Sequence, residues 1–126
     1  MRPKNLTLTL LVLMFSPIAH AQVADGSAVL LPLEAQTCRL PSAPARVTPD
    51  ADYEALSVGK ERITQFQQDL EAYRACLDKS RSNERLTDGN RVALDRAHDY
   101  SVEMETRIAE QFNVAVRAYR AREQEK

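Results

Sequence analysis

Apolar residues between positions 56 and 77 recur at the spacing of an α-helix. Six of them follow one another at intervals of 7, 3, 4, 3 and 4, and Gly59 stands in the one long gap. They are Leu56, Ile63, Phe66, Leu70, Tyr73 and Leu77. One apolar face at heptad-like spacing predicts a helix over about residues 52–82. Asp50 or Asp52 can cap its start, because a short carboxylate accepts hydrogen bonds from free backbone N–H groups.

A second helix is predicted over about residues 88–122 by apolar and small residues at intervals of 4, 3, 4, 4, 3 and 4. They are Ala97, Ser101, Met104, Ile108, Phe112, Ala115 and Tyr119. Thr87 or Asp88 can cap its start. The connection from the first helix is short and polar, so the two helices are expected to form an antiparallel hairpin over residues 52–126.

The segment before the hairpin has a different composition. Residues 22–51 hold Pro32, Pro41, Pro44 and Pro49, and no proline follows. Such a stretch is typical of extended or irregular backbone. The expected fold is therefore all-α, an antiparallel two-helix hairpin preceded by an extended Pro-rich N-terminal arm. Six leucines and valines lie outside the two seams and are expected to be surplus apolar surface. They are Leu30, Leu31, Leu33, Leu94, Val102 and Val116.

The first 21 residues have the pattern of a secretory signal peptide. Arg2 and Lys4 precede a run from Leu6 to Phe15 that is apolar apart from two threonines, and Ala19-His20-Ala21 offers a cleavage site. The run is shorter than the roughly 20 residues of a membrane-spanning helix, so a membrane anchor is disfavoured. We expect cleavage after Ala21, secretion into the periplasm, and no membrane span in the cleaved chain.

The distribution of charge along the chain argues against two classes of binding function. Removing Arg2 and Lys4 from the 17 basic residues leaves 15, against 18 acidic residues, so the mature chain has a net charge of about −3. The two signs are interspersed, which argues against a nucleic-acid-binding arm or a polybasic membrane surface. About 105 residues make one domain with a modest core.

The two cysteines, Cys38 and Cys76, are expected to form a disulfide that ties the arm to the first helix, because their number is even and the predicted compartment is oxidising. Two free buried thiols and an intermolecular bond are the alternatives. From Asp52 to Cys76 the helix would rise about 36 Å. The 14 residues from Asp52 back to Cys38 reach at most ~46–50 Å, so the arm can run antiparallel along the helix.

Five short motifs follow one another through most of the chain after residue 37. They are Cys38-x-x-Pro41, Pro49-Asp50, Tyr73-x-x-Cys76-Leu77, Met104 and Phe112-Asn113-x-x-Val116-x-x-Tyr119. Together they resemble a group of small, uncharacterised secreted bacterial proteins with a two-cysteine arm and a helical hairpin. The resemblance implies this architecture and carries over no activity and no site residue.

Candidate chemistry is sparse. His98 lies near Asp95 and Asp99, but metal sites usually need three or four converging ligands, so a solvated polar face is favoured. Four arginines flank the predicted loop and suggest an anion site, but acidic residues are interleaved with them and favour a solvated loop. They are Arg81, Arg85, Arg91 and Arg96. We predict no catalytic residue, no metal site and no cofactor.

Two function classes remain. The first is a non-enzymatic secreted or envelope module, structural or protein-interacting, whose partner is an unidentified envelope protein and which is favoured by the surplus apolar residues. The alternative is a small all-helical ligand binder or enzyme that acts as a dimer, with polar groups inside a four-helix core. A homodimer is expected in either class, because a lone hairpin buries little surface and two-fold pairing is the commonest remedy.

Overall fold

The structure, a computed structural model, describes residues 28–126. This part of the chain contains three α-helices and no strand: α1 Leu33–Gln36, α2 Tyr53–Arg81 and α3 Asp88–Gln124. The helical class expected from the sequence is confirmed. The structure has α2 where the sequence predicted a helix over residues 52–82, and α3 where it predicted one over residues 88–122. The predicted signal peptide and the first residues of the predicted arm, 22–27, lie outside the described residues. None of the three helices is long and apolar enough to cross a bilayer.

Side-chain caps fix where the two long helices begin. The Asp52 carboxylate accepts a hydrogen bond from the backbone N–H of Ala55 at 2.8 Å, so Asp52 rather than Asp50 is the cap of α2. At the start of α3, the Thr87 hydroxyl accepts from the backbone N–H of Asn90 at 3.1 Å, and the Asn90 side chain accepts from the backbone N–H of Thr87 at 3.2 Å. This reciprocal pair satisfies two N–H groups that the helix itself leaves free.

Three side-chain pairs show that α2 and α3 run antiparallel. As the α2 residue moves back along the chain, its α3 partner moves forward. The pairs are Arg81–Asp95 at 2.5 Å, Arg74–Glu105 at 2.9 Å and Tyr53–Tyr119 with ring centroids 6.4 Å apart. We call the end of the hairpin at residues 82–87 the loop end, and the opposite end, with Tyr53 and Tyr119, the open end.

The predicted seam of α2 is confirmed, except that Ile63 is half-buried rather than buried. Two clusters form the core. The loop-end core contains Ala35, Tyr73, Leu77 and Leu94, and the middle core contains Phe66, Leu70 and Met104 with Ile108 packed against them. Burial raises the pKa of the Tyr73 phenol, since the ionised form would lose water there.

Leu94 corrects the sequence analysis, which placed it off the seam of α3. Its side chain is 0% exposed and packs in the loop-end core. Leu94 stands three residues before Ala97, so it continues the spacing of the α3 seam and packs with Tyr73 and Leu77 of α2. The seam of α3 therefore begins one turn earlier than the sequence analysis placed it, and Ala35 of α1 completes the cluster at the loop end.

The segment before α2 contains a helical turn where the sequence predicted extended or irregular backbone. The carbonyl of Pro32 accepts from the backbone N–H groups of Ala35 at 2.9 Å and Gln36 at 3.1 Å, which closes α1. The turn is stabilised because it places Ala35 in the core, and Leu, Glu, Ala and Gln are good helix formers. Leu33, one of the surplus leucines, projects from this turn and is exposed.

From α1 the segment returns along α2 to the open end. Arg39–Pro41 lies beside Ala72, and Ala45–Thr48 lies beside Val58 and Gly59. Near its end, the Arg122 guanidinium of α3 donates to the carbonyl of Pro49 and, at 2.6 Å, to that of Ala51. We call residues 28–52 the strap. Its described course therefore joins both ends of the hairpin.

Gly59 provides the close approach between the strap and α2. A Cβ atom at this position would overlap a methyl group of Val47 and would lie 3.4 Å from the ring of Phe112. Glycine in a helix interior costs about 1 kcal/mol relative to alanine, and here the missing side chain leaves room for Val47.

Replacing Gly59 with alanine should displace the strap around Val47. The gain in helix propensity, about 1 kcal/mol, offsets part of the lost packing, so overall stability should change little. Trypsin should nevertheless cut faster after Arg46, because the neighbouring backbone is lifted from α2. The double variant Val47→Ala/Gly59→Ala should restore the slower cleavage. A cleavage rate in Gly59→Ala equal to that of the wild type would contradict this contact.

Candidate functional site

The predicted disulfide between Cys38 and Cys76 is present. Its Cα atoms are 5.7 Å apart and both cysteines are half-buried. Cys38 packs against the loop-end core, so the bond holds the strap next to the cluster to which Ala35 contributes. Because both cysteines of the chain are in this bond, the alternatives of free thiols and of an intermolecular bond are wrong. The bond therefore has a structural role, because it anchors the strap to α2.

The structure does not assemble the carboxylate–histidine group around His98. The His98 Nδ1 atom lies 3.5 Å from the adjacent Asp99, whereas Asp95 is turned toward Arg81. Within residues 28–126 no three His, Cys, Asp or Glu side chains converge as metal ligands. Asp95 and Asp99 are exposed on α3 and His98 is half-buried.

Of the four loop arginines, Arg81 is the one in a salt bridge within residues 28–126. Arg81 lies 3.4 Å from a carboxylate oxygen of Asp78 and 2.5 Å from one of Asp95. These carboxylates already supply the negative charge that a bound anion would bring. Arg85, Arg91 and Arg96 are exposed on separate positions of the loop and of α3.

The strap covers only one side of the helix pair. The α2 residues beside it include Ala55, Val58 and Arg62 near the open end, and Ala72 and Cys76 nearer the loop end. At 100° per residue these positions form one stripe of α2. Tyr53, Leu56 and Lys60 fall on the opposite side of the helix by the same measure. The strap therefore leaves that second side of the pair uncovered at the open end.

An open groove of about 510 Å³ lies on the uncovered side. We call it the aromatic groove. Its walls are one stripe of α2 and one of α3, and its residues are Tyr53, Leu56, Ser57, Lys60, Phe112, Asn113, Val116, Tyr119 and Arg120. Leu56 forms the buried floor, while Tyr53 is 71% exposed and forms the rim. The groove presents aromatic and aliphatic carbon between two helices, which is the usual make-up of a protein-binding groove.

Two contacts orient the tyrosines at the rim of the aromatic groove. The rings of Tyr53 and Tyr119 are tilted by 48° at a centroid distance of 6.4 Å, within the range of favourable aromatic pairs. The Arg122 guanidinium carbon lies 5.8 Å from the centroid of the Tyr119 ring, a cation–π distance. Since Arg122 also donates to the strap carbonyls, it links the strap to Tyr119 of the groove.

The charges around the aromatic groove are of one sign. Lys60 and Arg120 stand on opposite walls, and no carboxylate is among the lining residues. Neither cation is in a salt bridge within residues 28–126. Beyond Lys60 the same side of α2 continues with the polar residues Thr64 and Gln67, which end the apolar stretch. The groove is therefore apolar, bounded and electropositive.

The sequence analysis did not identify the aromatic groove. Tyr53 and Lys60 extend the spacing of the α2 seam, three residues before and four residues after Leu56, and this signal was available. Arg120 gave no signal of its own, since an arginine beside a seam is usually a solvated flank. Only the antiparallel register places Arg120 across from Lys60.

Three of the resemblance motifs fall on these features: Cys38 and Cys76 on the disulfide, and Phe112 to Tyr119 on the α3 wall of the groove. The resemblance itself stays an expectation about architecture. Comparison with known proteins finds no family model, no curated protein and no solved structure that matches this chain.

Proposed function

We propose that the protein is a non-enzymatic secreted or envelope module that binds another protein through the aromatic groove. The observation that carries this proposal is the one-sided cover of the helix pair. The strap seals one side, whereas the other side leaves Tyr53, Phe112 and Tyr119 around an open apolar channel. An exposed apolar patch with a polar rim is typical of an interaction site.

The Pro-rich arm is, in this proposal, a strap that keeps the hairpin folded without a large core. The Cys38–Cys76 bond anchors it at the loop end, and the Arg122 hydrogen bonds anchor it at the open end. Small domains that bury little apolar surface commonly depend on such covalent support. The uncovered side is thereby left available for a partner.

A disulfide of this kind supports the proposal that the protein works in an oxidising compartment, the periplasm or the exterior. We expect the purified envelope form to begin at Gln22, as intact-mass measurement would show. Ala21→Arg should leave the leader attached, because the cleavage site requires a small residue there. A wild-type chain recovered at full length in the membrane would contradict the proposed processing.

Site-specific photo-cross-linking tests the proposed function. A photoreactive amino acid replaces Asn113 in the aromatic groove, and the matched control carries it at Val102, which is exposed on α3 outside the groove. We expect a discrete cross-linked protein from the Asn113 probe only, and its loss when Phe112 is changed to aspartate. Identical products from both positions, or none from Asn113, would refute a groove that binds protein.

A homodimer, the other partner expected from the sequence, has weaker support. Val92, Val102 and Val114 are exposed on α3 at intervals of 10 and 12 residues. At 1.5 Å per residue they lie about 15 Å and 18 Å apart along the helix, so they form no continuous apolar stripe for a second copy. The alternative of a dimeric enzyme or ligand binder needs polar groups in the core. Among the described residues, the buried polar side chains are Ser80 and Ser101.

A further inference from the structure

We infer that the aromatic groove takes an amphipathic helix of the partner, about two turns long at the contact, with acidic residues beside its apolar stripe. This inference rests on the proposed function and specifies the chemistry of the partner. It follows from the shape of the groove, from the state of the backbone in its walls and from the charges at its rims.

The length of the groove matches two turns of helix. Its lining extends from Tyr53 to Lys60 on α2 and from Phe112 to Arg120 on α3. At 1.5 Å per residue these stretches are about 10 Å and 12 Å long, and two turns of a docked helix measure about 11 Å. Such a helix offers anchors at positions i, i+3 or i+4, and i+7, which suit a narrow apolar channel.

The walls disfavour an extended peptide. Added strands bind through the unpaired backbone groups of a sheet edge. Here both walls are helical, and from Leu56 onward on α2 and throughout the α3 wall the backbone N–H groups are used within their own helix, so neither wall offers a strand edge. Side-chain packing is therefore the available source of affinity, and packing into a groove is how amphipathic helices bind.

The charges select an acidic partner. Lys60 and Arg120 face the channel from its two walls without a carboxylate in the lining. Glu123, one turn beyond Tyr119, is engaged with Lys126 at 2.6 Å. Carboxylates on either side of the partner's apolar stripe would meet one cation on each wall. Such complementarity speeds association and rejects basic competitors.

Two other occupants fit less well. A second copy docked groove to groove would bring two Lys60 and two Arg120 side chains into one interface, since a two-fold contact repeats each residue. An anionic membrane would attract the same cations, but membrane-binding surfaces project apolar side chains outward. Leu56 instead lies on the buried floor of a concave channel.

The test uses the oxidised mature chain, labelled for NMR, and two synthetic helical peptides of roughly 14 residues, about four turns. Both carry the same leucine stripe, flanked by glutamates in one and by lysines in the other. We expect the glutamate peptide to shift the signals of Tyr53, Asn113 and Val116 and to bind at least tenfold more tightly than the lysine peptide. Salt should reduce this difference, because the charges are exposed.

Charge reversal provides the matched controls. Lys60→Glu/Arg120→Glu should invert the preference between the two peptides. Arg96→Glu/Arg107→Glu changes the net charge equally at exposed positions of α3 outside the groove, and it should leave the preference as in the wild type. Equal binding of both peptides, no shift at the groove at millimolar peptide, or shifts at other residues would each overturn the inference.

Two further outcomes identify a different occupant. Stronger binding to phosphatidylglycerol vesicles than to the glutamate peptide, or self-association that shifts the groove signals without peptide, would overturn the helix assignment. A cross-linked partner at Asn113 with no acidic amphipathic helix would overturn the inference while leaving the proposed function standing. Absence of any cross-linked protein at Asn113 would refute the proposed function and the inference with it.

Discussion

Replacing Cys76 with serine should lower the free energy of unfolding by about 2–5 kcal/mol. The bond joins residues 38 positions apart, and in the chain-entropy model closing such a loop is worth about 4 kcal/mol. The strap also contributes Ala35 to the loop-end core, so its release exposes Tyr73, Leu77 and Leu94. Urea unfolding of the oxidised wild type and the variant measures the difference.

Protease digestion gives the structural counterpart of this result. With the bond absent, trypsin should cut after Arg39 and Arg46 in the released strap while most of α2 and α3 persists. Cys38→Ser should behave alike, and the double variant should be no less stable than either single variant, because all three remove one bond. Wild-type stability and protease resistance in Cys76→Ser would show that other contacts suffice to hold the strap.

Replacing Leu94 with alanine should lower the free energy of unfolding by about 2–5 kcal/mol, the range for a large side chain removed from a close-packed core. Leu94 is 0% exposed in the loop-end core. The matched control is Val102→Ala on the same helix, where the side chain is 43% exposed and the change should stay within about 0.5 kcal/mol. Urea unfolding measures the loss of stability in each variant. A large loss for Leu94→Ala and a small one for Val102→Ala would show that the first side chain is covered and the second is not.

The loss of stability caused by Leu94→Ala should depend on the disulfide. In the Cys76→Ser background α1 is released, so Leu94→Ala removes fewer contacts and should cost less than in the oxidised chain. A double-mutant cycle measures this coupling between neighbouring sites. Equal costs for Leu94→Ala in the two backgrounds would mean that Ala35 does not stay over Leu94 in solution.

Leu94 and Val102 also show where inference from the sequence ends. The 3.6-residue period identified the apolar seam of α2, and the polar residues flanking the helices identified Asp52 and Thr87 among the candidate caps. Both Leu94 and Val102 lay off the predicted seam of α3. Leu94 nevertheless continues the seam spacing three residues before Ala97 and packs with Tyr73 of α2, and α1, which no spacing of apolar residues predicts, completes its cover.

The aromatic groove escaped sequence analysis for a related reason. Phe112 and Tyr119 were identified as seam residues, and such residues are expected to be buried. Their outer edges remain open because the strap passes along the other side of α2. The side taken by the strap depends on tertiary contacts such as Val47 with Gly59, for which the spacing of apolar residues gives no signal.

Hydroxyl-radical footprinting of the isolated oxidised chain tests the one-sided cover of the helix pair most directly, because it reports side-chain exposure residue by residue. Tyr53 is 71% exposed at the rim of the groove, and Tyr73 is 7% exposed on the side of the strap. We expect rapid oxidation of Tyr53 and protection of Tyr73 in the wild type. In Cys76→Ser, Tyr73 should become reactive while Tyr53 is unchanged. Protection of Tyr53, or oxidation of Tyr73 in the intact protein, would contradict a strap on one side and an open groove on the other.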